Sequence, residues 1–447
     1  MQLNEILKQI PEYKEFMTIH ELDKSSQQLA DEFESVEFTK IGESAEGRNI
    51  SYLKIGQGTK NALLFAFPHP NEPIGSLTIE FLSRFLAENP EVTKDLGYTW
   101  YLIKAIDPDG AVLNEGWFKG EFTPIKYAKN YYRPAPHEQI EWTFPVKYKK
   151  LEFSDPPPET MALMRLMEKT KPAFMFSLHN AGFCGVYWYI THKVETMYSS
   201  FISLANQVNL PVHRGEPQAP YIKQLHRAIF LCDGIHERYD FYEENGVENP
   251  QELIKNGTSS DVYLKSLTNG KGFTLVCEMP YFYDRILDDD SLSNHDRREK
   301  VLESLEFQKN ANDFLKQRFD IIKKYCDHDS RLFTAVADGV ENFDKRIAPQ
   351  IHHAQNSPMY EGKATNAQAF DSMVSFRFYS PLRTGMAARL CNNNSELLQI
   401  QSELGDWVEQ TIQNLLKNTN FEVIPIKKLV HVQVGSAFIA MQQLNKM

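Results

Sequence analysis

The amino-acid sequence predicts an α/β fold: a mixed, largely parallel twisted sheet with helices on both faces, followed by a mainly helical C-terminal appendage. Three observations predict it. Short continuous apolar runs, "NALLFAF" (61–67), "YTWYLIKAI" (98–106), "AFMFSLH" (173–179) and "GFTLVCE" (272–278), read as strands covered on both faces. Segments of helical periodicity alternate with them, which favours parallel crossovers. Beyond about residue 290 no further strand is read, and helical patterns run toward the C-terminus.

The elements follow in order. Leu3, Ile6, Leu7 and Ile10 recur at helical spacing, and "IHELDKSSQQLADEF" repeats the pattern. "EFTKIGESAEGRNISYLKIGQG" places two β-rich pieces around the turn signal "GESAEGR". After the first buried strand, "SLTIEFLSRFLAENP" is helical and stops at Asn-Pro. The second strand closes on the turn "DPDG", and "PPPETMALMRLMEKTKP" is a helix opened by prolines that leads into the third. In "DDDSLSNHDRREKVLESLEFQKNANDFLKQRFDIIKKY" acidic residues lead and basic ones trail, as the helix dipole prefers. "NSELLQIQSELGDWVEQTIQNLLKN" is a further amphipathic helix.

Bulk properties narrow the function. The chain has 447 residues, 42% hydrophobic and 24% charged, enough for two or three domains or one large catalytic domain with additions. A formal charge of −11 without any basic block argues against nucleic acid or an anionic membrane surface as the main partner. The N-terminus lacks the apolar core of a signal peptide, and no run approaches the roughly 18 apolar residues of a membrane span. The five cysteines are scattered without a C-x-x-C pair, so neither a disulfide framework nor a cysteine metal site is indicated. The expectation is a reduced, cytoplasmic protein; its oligomeric state is not legible.

Ligands collect at the carboxyl ends of strands in open α/β sheets. Three of the four strand candidates end at a residue able to bind a metal or move a proton: the first at His69 and Glu72, the third at His179, the fourth at Glu278. Alone, a His-x-x-Glu pair is weak, since about one arises by chance in a chain of this composition, and the bland reading is a helix start. With His179 it completes two histidines and one carboxylate, the ligand set of catalytic zinc sites that keep a fourth position for water. Zinc lowers the pKa of that water to about 7, and a neighbouring carboxylate takes its proton during attack on a carbonyl. Glu278 fits that base. Paired with a cation instead, it would be an ordinary buried glutamate.

On these motifs the sequence resembles the zinc carboxypeptidase family typified by carboxypeptidase A, over roughly residues 18–285. "IHELDKSSQQLADEFESVEFTKIGESAEGRNI" is similar to the family's helix, strand and Ile-Gly-x-Ser-x-x-Gly-Arg pattern. "PHPNEPIGS" is similar to its ligand pair and "IDPDG" to its Asn-Pro-Asp-Gly turn. "DPPPETMALMRLM" leading to "KPAFMFSLHNAG" is similar to the helix and third ligand. "GTSSDVYLKSLTNGKGFTLVCEMP" is similar to the segment of the catalytic glutamate. The resemblance implies one Zn²⁺ per chain bound by His69, Glu72 and His179, with Glu278 assisting attack of zinc-bound water on an amide carbonyl. It implies a catalytic domain over 1–290 and an extension of unknown role over 291–447.

The departures from the family pattern are specific. Phe118, in "NEGWFKG", stands where the family has its carbonyl-polarising arginine. Arg133 is the first candidate to replace it, with Lys119 and Lys129 behind. Asn130 and Arg133, in "KNYYRP", are candidates for holding the substrate's terminal carboxylate, and they are separated where the family has an adjacent pair. Tyr263 is nearest to the family's substrate-binding tyrosine, and Asp261 to its aspartate. Asn180 and Ala181 replace the usual serine and aromatic after the third ligand, and "GVYWYITH" offers a pocket wall or core aromatics. His192 and the pair His352/His353 lack spaced partners for a second metal. The expected function is a zinc-dependent peptidase, a metallocarboxypeptidase acting on peptides. The alternatives are a zinc-dependent deacylase of small N-acyl amino acids, or a non-catalytic binding scaffold.

Overall fold

The computed structural model describes residues 2–447. Its centre is a ten-stranded mixed sheet. The strands are β1 (Val36–Glu43), β2 (Asn49–Ile55), β3 (Lys60–Phe65), β4 (Tyr98–Ile103), β5 (Phe174–Phe183), β6 (Tyr187–Ile190), β7 (Gln224–His226), β8 (Ile229–Leu231), β9 (Phe273–Tyr283) and β10 (Glu422–Val423). Their order is β1-β2-β4-β3-β5-β9-β6-β8-β7, with β10 paired to β9. The central neighbours β4, β3, β5 and β9 are mutually parallel, and antiparallel strands flank them.

The four apolar runs form the four central strands. Alternation along β3 sends Ala62 and Leu64 to one apolar core and Leu63 and Phe65 to another, so both faces are covered. The first strand ends at Phe65 rather than 67, because Phe67 adopts a left-handed φ of 56°. β5 and β9 run on past 179 and 278, because their extensions pair with each other from Met279↔Asn180 to Phe282↔Phe183.

The longer helices are α1 (Ile19–Glu32), α2 (Ile74–Glu88), α3 (Pro158–Thr170), α4 (Glu195–Gln207), α5 (Arg297–Ile322), α6 (Arg331–Glu341), α7 (Phe343–Asn356), α8 (Tyr379–Leu390), α9 (Leu398–Leu416) and α10 (Ile426–Leu444). Thr18 and Glu21 cap α1 reciprocally, a signal present in "TIHE". α2 and α10 share the first core, and α3 packs in the second. α10 is buried along most of its length, and Trp188 on β6 donates its indole N–H to Ser436 at 2.9 Å. Residues after 290 therefore contribute α10, and parts of α5, α6, α8 and α9, to the same apolar core.

Among the described residues no helix is long and apolar enough to cross a membrane. The five cysteines are free.

Candidate active site

The chain turns sharply after β3. Glu72 donates its N–H to the His69 carbonyl at 3.0 Å, and α2 begins two residues later. Glu72 thus lies in the turn before the helix. Asn180, the residue after His179, ties this turn to β5: its Oδ1 accepts the Ile74 N–H at 3.1 Å and its own N–H reaches Glu72 Oε2 at 3.2 Å. The replacement of the family's serine by Asn180 has a local reason here, since the side chain satisfies an otherwise unpaired donor at the start of α2.

Ligand atoms of His69, Glu72 and His179 all lie within 4.8 Å of one another, and the three residues are buried. His179 Nδ1 is 3.0 Å from Glu72 Oε2, while its Nε2 is 2.9 Å from Ser177 Oγ and 3.7 Å from Glu141 Oε2. Ser177 and Ser260 donate their hydroxyls to Glu141, which fixes that carboxylate behind the imidazole. A ring held this way on its far side presents one nitrogen to the centre. Parallel register sets Glu278 beside His179, and Glu278 Oε1 is 4.0 Å from His179 Nδ1.

The electrostatics separate the two histidines. Burial, then Arg133 and His179, push His69 well below the ordinary imidazole range. Burial also pulls His179 down, but Glu72, Glu141 and Glu278 outweigh it and hold it up at about 10. Burial lifts Glu278 to about 8; His179 and Arg133 oppose the rise and Glu72 adds to it. Buried atoms at the centre that lack a hydrogen-bond partner include His69 Nδ1, Glu278 Oε2 and the neighbouring Asn180 Nδ2. Orphaned buried atoms of this kind call for an explanation. A cation accepting the His69 lone pair between two histidines and a carboxylate is the one this donor set fits, and zinc has the matching preference.

Arg133 reaches the centre: its Nη1 donates to Glu72 Oε1 at 2.9 Å and Nη2 to Gln139 at 3.4 Å. Phe118 does not; it is buried with Phe16, Phe67 and Trp117, an aromatic core with no room for a charge. Asn130 and Tyr263, expected beside the substrate, are not brought to the cluster. Asn130 donates back to the Lys126 carbonyl, and Tyr263 donates outward to Glu168 at 2.6 Å while packing on Phe144. Lys119 and Lys129 are likewise engaged elsewhere, by Glu21 and Glu409. Asp261 accepts from Thr191 at 2.6 Å and pairs with Lys265.

A cavity of about 780 Å³ opens over the cluster. "GVYWYITH" supplies both readings by strand alternation: Tyr187 and Tyr189 line the cavity, and Trp188 stacks on Phe201 in the core. Gln218 was not singled out in the sequence. It accepts from Tyr189 at 2.8 Å, donates to Tyr187 at 2.7 Å and reaches Glu278 Oε1 at 3.5 Å. Tyr379 and Arg383, on α8, line the same cavity, and Tyr379 is 45% exposed. Neither Gln218 nor the α8 pair carries a spacing that sequence reading would recognise.

Comparison with known proteins bears on this centre. Residues 22–207 match the zinc carboxypeptidase family, Peptidase M14. No curated protein matches significantly. Among solved structures, carboxypeptidase A from Helicoverpa armigera is similar at 14% identity and a TM-score of 0.38, covering 60% of this chain and 65% of its own. The metallo-carboxypeptidase from Burkholderia cenocepacia is similar at 15% identity and 0.36, covering 59% and 60%. Bovine thrombin-activatable fibrinolysis inhibitor is similar at 12% identity and 0.35, covering 58% and 86%. The chain thus spans less than two thirds of the length of the first two. Glu278 and all of α8 lie beyond the matched residues, whereas His69, Glu72 and His179 lie within them. The stretch 22–207, in which His69, Glu72 and His179 converge, matches the zinc carboxypeptidase family model.

Proposed function

We propose that this chain is a zinc-dependent peptidase that hydrolyses amide bonds as a metallocarboxypeptidase acting on peptides. The observation that carries the reading is the convergence of His69, Glu72 and His179 within 4.8 Å, with Glu278 in register beside His179. A zinc ion there supplies Lewis acidity, polarising a carbonyl and lowering the pKa of water to about 7. Glu278, with Oε2 unpaired and buried, takes a proton from the attacking water and returns it to the leaving amine. Arg133, which donates to Glu72 Oε1 at 2.9 Å, is the cation we assign to steady developing negative charge, since Phe118 stands where the family pattern has an arginine. Tyr187, Tyr189 and Gln218 form the wall that orients the substrate beside Glu278.

A deacylase of small N-acyl amino acids is the second reading. It is favoured by Asn130 and Tyr263 lying away from the cluster, which leaves the family's terminal-group recognition without its expected residues. Metal analysis of the purified chain coupled to a substrate panel tests both. Stoichiometric zinc with hydrolysis of blocked dipeptides bearing free carboxyl ends supports the peptidase. Cleavage of acyl-amino acids alone transfers the assignment to the deacylase. Absence of zinc together with normal folding of His69→Ala leaves a binding scaffold.

A further inference from the structure

We propose that Arg383, on α8 and outside the family-matched segment, binds a carboxylate group of the substrate in this cavity. The inference rests on reading the cavity as an active site. Four guanidinium groups line it: Arg133, Arg238, Arg346 and Arg383. Arg133 faces Glu72, and Arg346 is held by both oxygens of Asp338 at 2.6 and 3.1 Å. Arg238 stacks 4.8 Å over Trp142, donates to Tyr221 and has the charge of Asp233 nearby. Arg383 stacks 4.4 Å over Phe343, and no carboxylate among the described residues forms an ion pair with it.

Arg383 is half-buried, and taking a cation partly out of water without a counter-charge has a cost that a bound anion offsets. Burial pulls the Arg383 pKa down to about 10; Tyr131 opposes this and Arg346 adds to it. The group therefore stays charged at neutral pH. Its planar fork matches a carboxylate with two parallel hydrogen bonds.

The placement is rigid and close to the chemistry. Tyr131 feels the charges of Arg133, Glu72 and Arg383 together. α8 is docked tightly on the segment that carries Arg133: a Cβ at Gly385 would lie 2.0 Å from the Ala128 carbonyl oxygen. Arg389 donates to the carbonyls of Asn130 and Tyr131 at 3.0 and 2.9 Å, and Met386 Sδ accepts the Arg133 N–H. A cavity of this volume holds a short peptide. The carboxylate has two sources, the substrate's C-terminus or an acidic side chain.

Calorimetric titration with non-cleavable ligands tests the proposal. The probes are a reduced-amide Phe-Leu with a free carboxyl end, its C-terminal carboxamide, and a reduced-amide Phe-Glu carboxamide. Wild type is expected to bind one of the two carboxylate ligands about 10–100-fold more tightly than the Phe-Leu carboxamide. Preference for the first assigns the terminal carboxylate, and preference for the third an acidic side chain. Arg383→Gln and Arg383→Met, the latter keeping the packing on Phe343, are expected to erase the preference while leaving carboxamide affinity unchanged. Arg238→Gln is expected to retain it. Equal wild-type affinity for all three ligands, or a preference that survives both Arg383 variants, overturns the proposal. A wild type that hydrolyses no amide yet shows the preference and its loss overturns the peptidase reading and leaves this one standing.

Discussion

His69 and Glu278 both sit at the centre, but they place separable demands on it. His69 Nδ1 has no protein partner, which leaves its lone pair free for the proposed metal. His69→Ala is expected to lose bound zinc, measured by elemental analysis after dialysis, while Glu278→Gln keeps it. Glu278→Gln is expected to lower kcat by about 10²–10⁴, the usual contribution of a general base. Unchanged turnover would remove Glu278 from the mechanism. Phe118 makes the complementary point. Restoring the family residue with Phe118→Arg is expected to destabilise the chain by more than about 3 kcal/mol in urea unfolding without raising activity, because the aromatic core around it offers no counter-charge. Arg133 instead brings a cation to Glu72 at 2.9 Å, and no motif in "KNYYRP" announced that contact.

At the scale of elements, the site is assembled from strand ends and held by helices that arrive late in the chain. Gln433 on α10 accepts the hydroxyl of Thr78 on α2 at 2.7 Å and donates to the His179 carbonyl at 3.1 Å, so α10 braces the strand that carries a ligand. The loop bearing Gln218 is pinned in the same manner. Glu216 is gripped by Arg297 through two hydrogen bonds at 2.6 and 2.5 Å, its N–H goes to Asp371, and Gly215 packs so closely on Asp371 that a Cβ would sit 1.7 Å from the carboxylate. Glu216→Ala leaves Arg297 largely buried without its partner. It is expected to cost about 3–5 kcal/mol in denaturant unfolding. The loop was invisible as a functional element because its only job-bearing residue, Gln218, acts through contacts that close when α5 and residue 371 dock. By contrast, the strands were legible. Continuous apolar runs arise where both faces are covered, and each of the four runs is a central strand.

For the whole molecule, the sheet, α2 and the C-terminal helices share one connected core. Deletion of residues 426–447 would remove Leu429, Val430, Val432, Val434 and Phe438, all fully or almost fully buried, and would expose the core surfaces they cover. The truncated chain is expected to be insoluble or to bind a hydrophobic dye without a cooperative melt. Chelation of zinc is expected to lower Tm, and added zinc to restore it, because a ligand held only by the folded state stabilises by mass action. An unchanged melting temperature would mean that the three ligands do not hold a metal. The sequence by itself determined the alternation of strands and helices and the placing of His69, Glu72, His179 and Glu278 at or just beyond the ends of the apolar runs that form strands. Those features depend on local periodicity and on residue types at strand ends, which survive without a partner. Only the tertiary structure decided that Arg133 faces Glu72, that Asn130 and Tyr263 turn away, and that residues 371–390 wall the cavity. The Arg133–Glu72, Tyr263–Glu168 and cavity-wall contacts join segments far apart in the chain, fixed by packing, and none of them is written in local sequence.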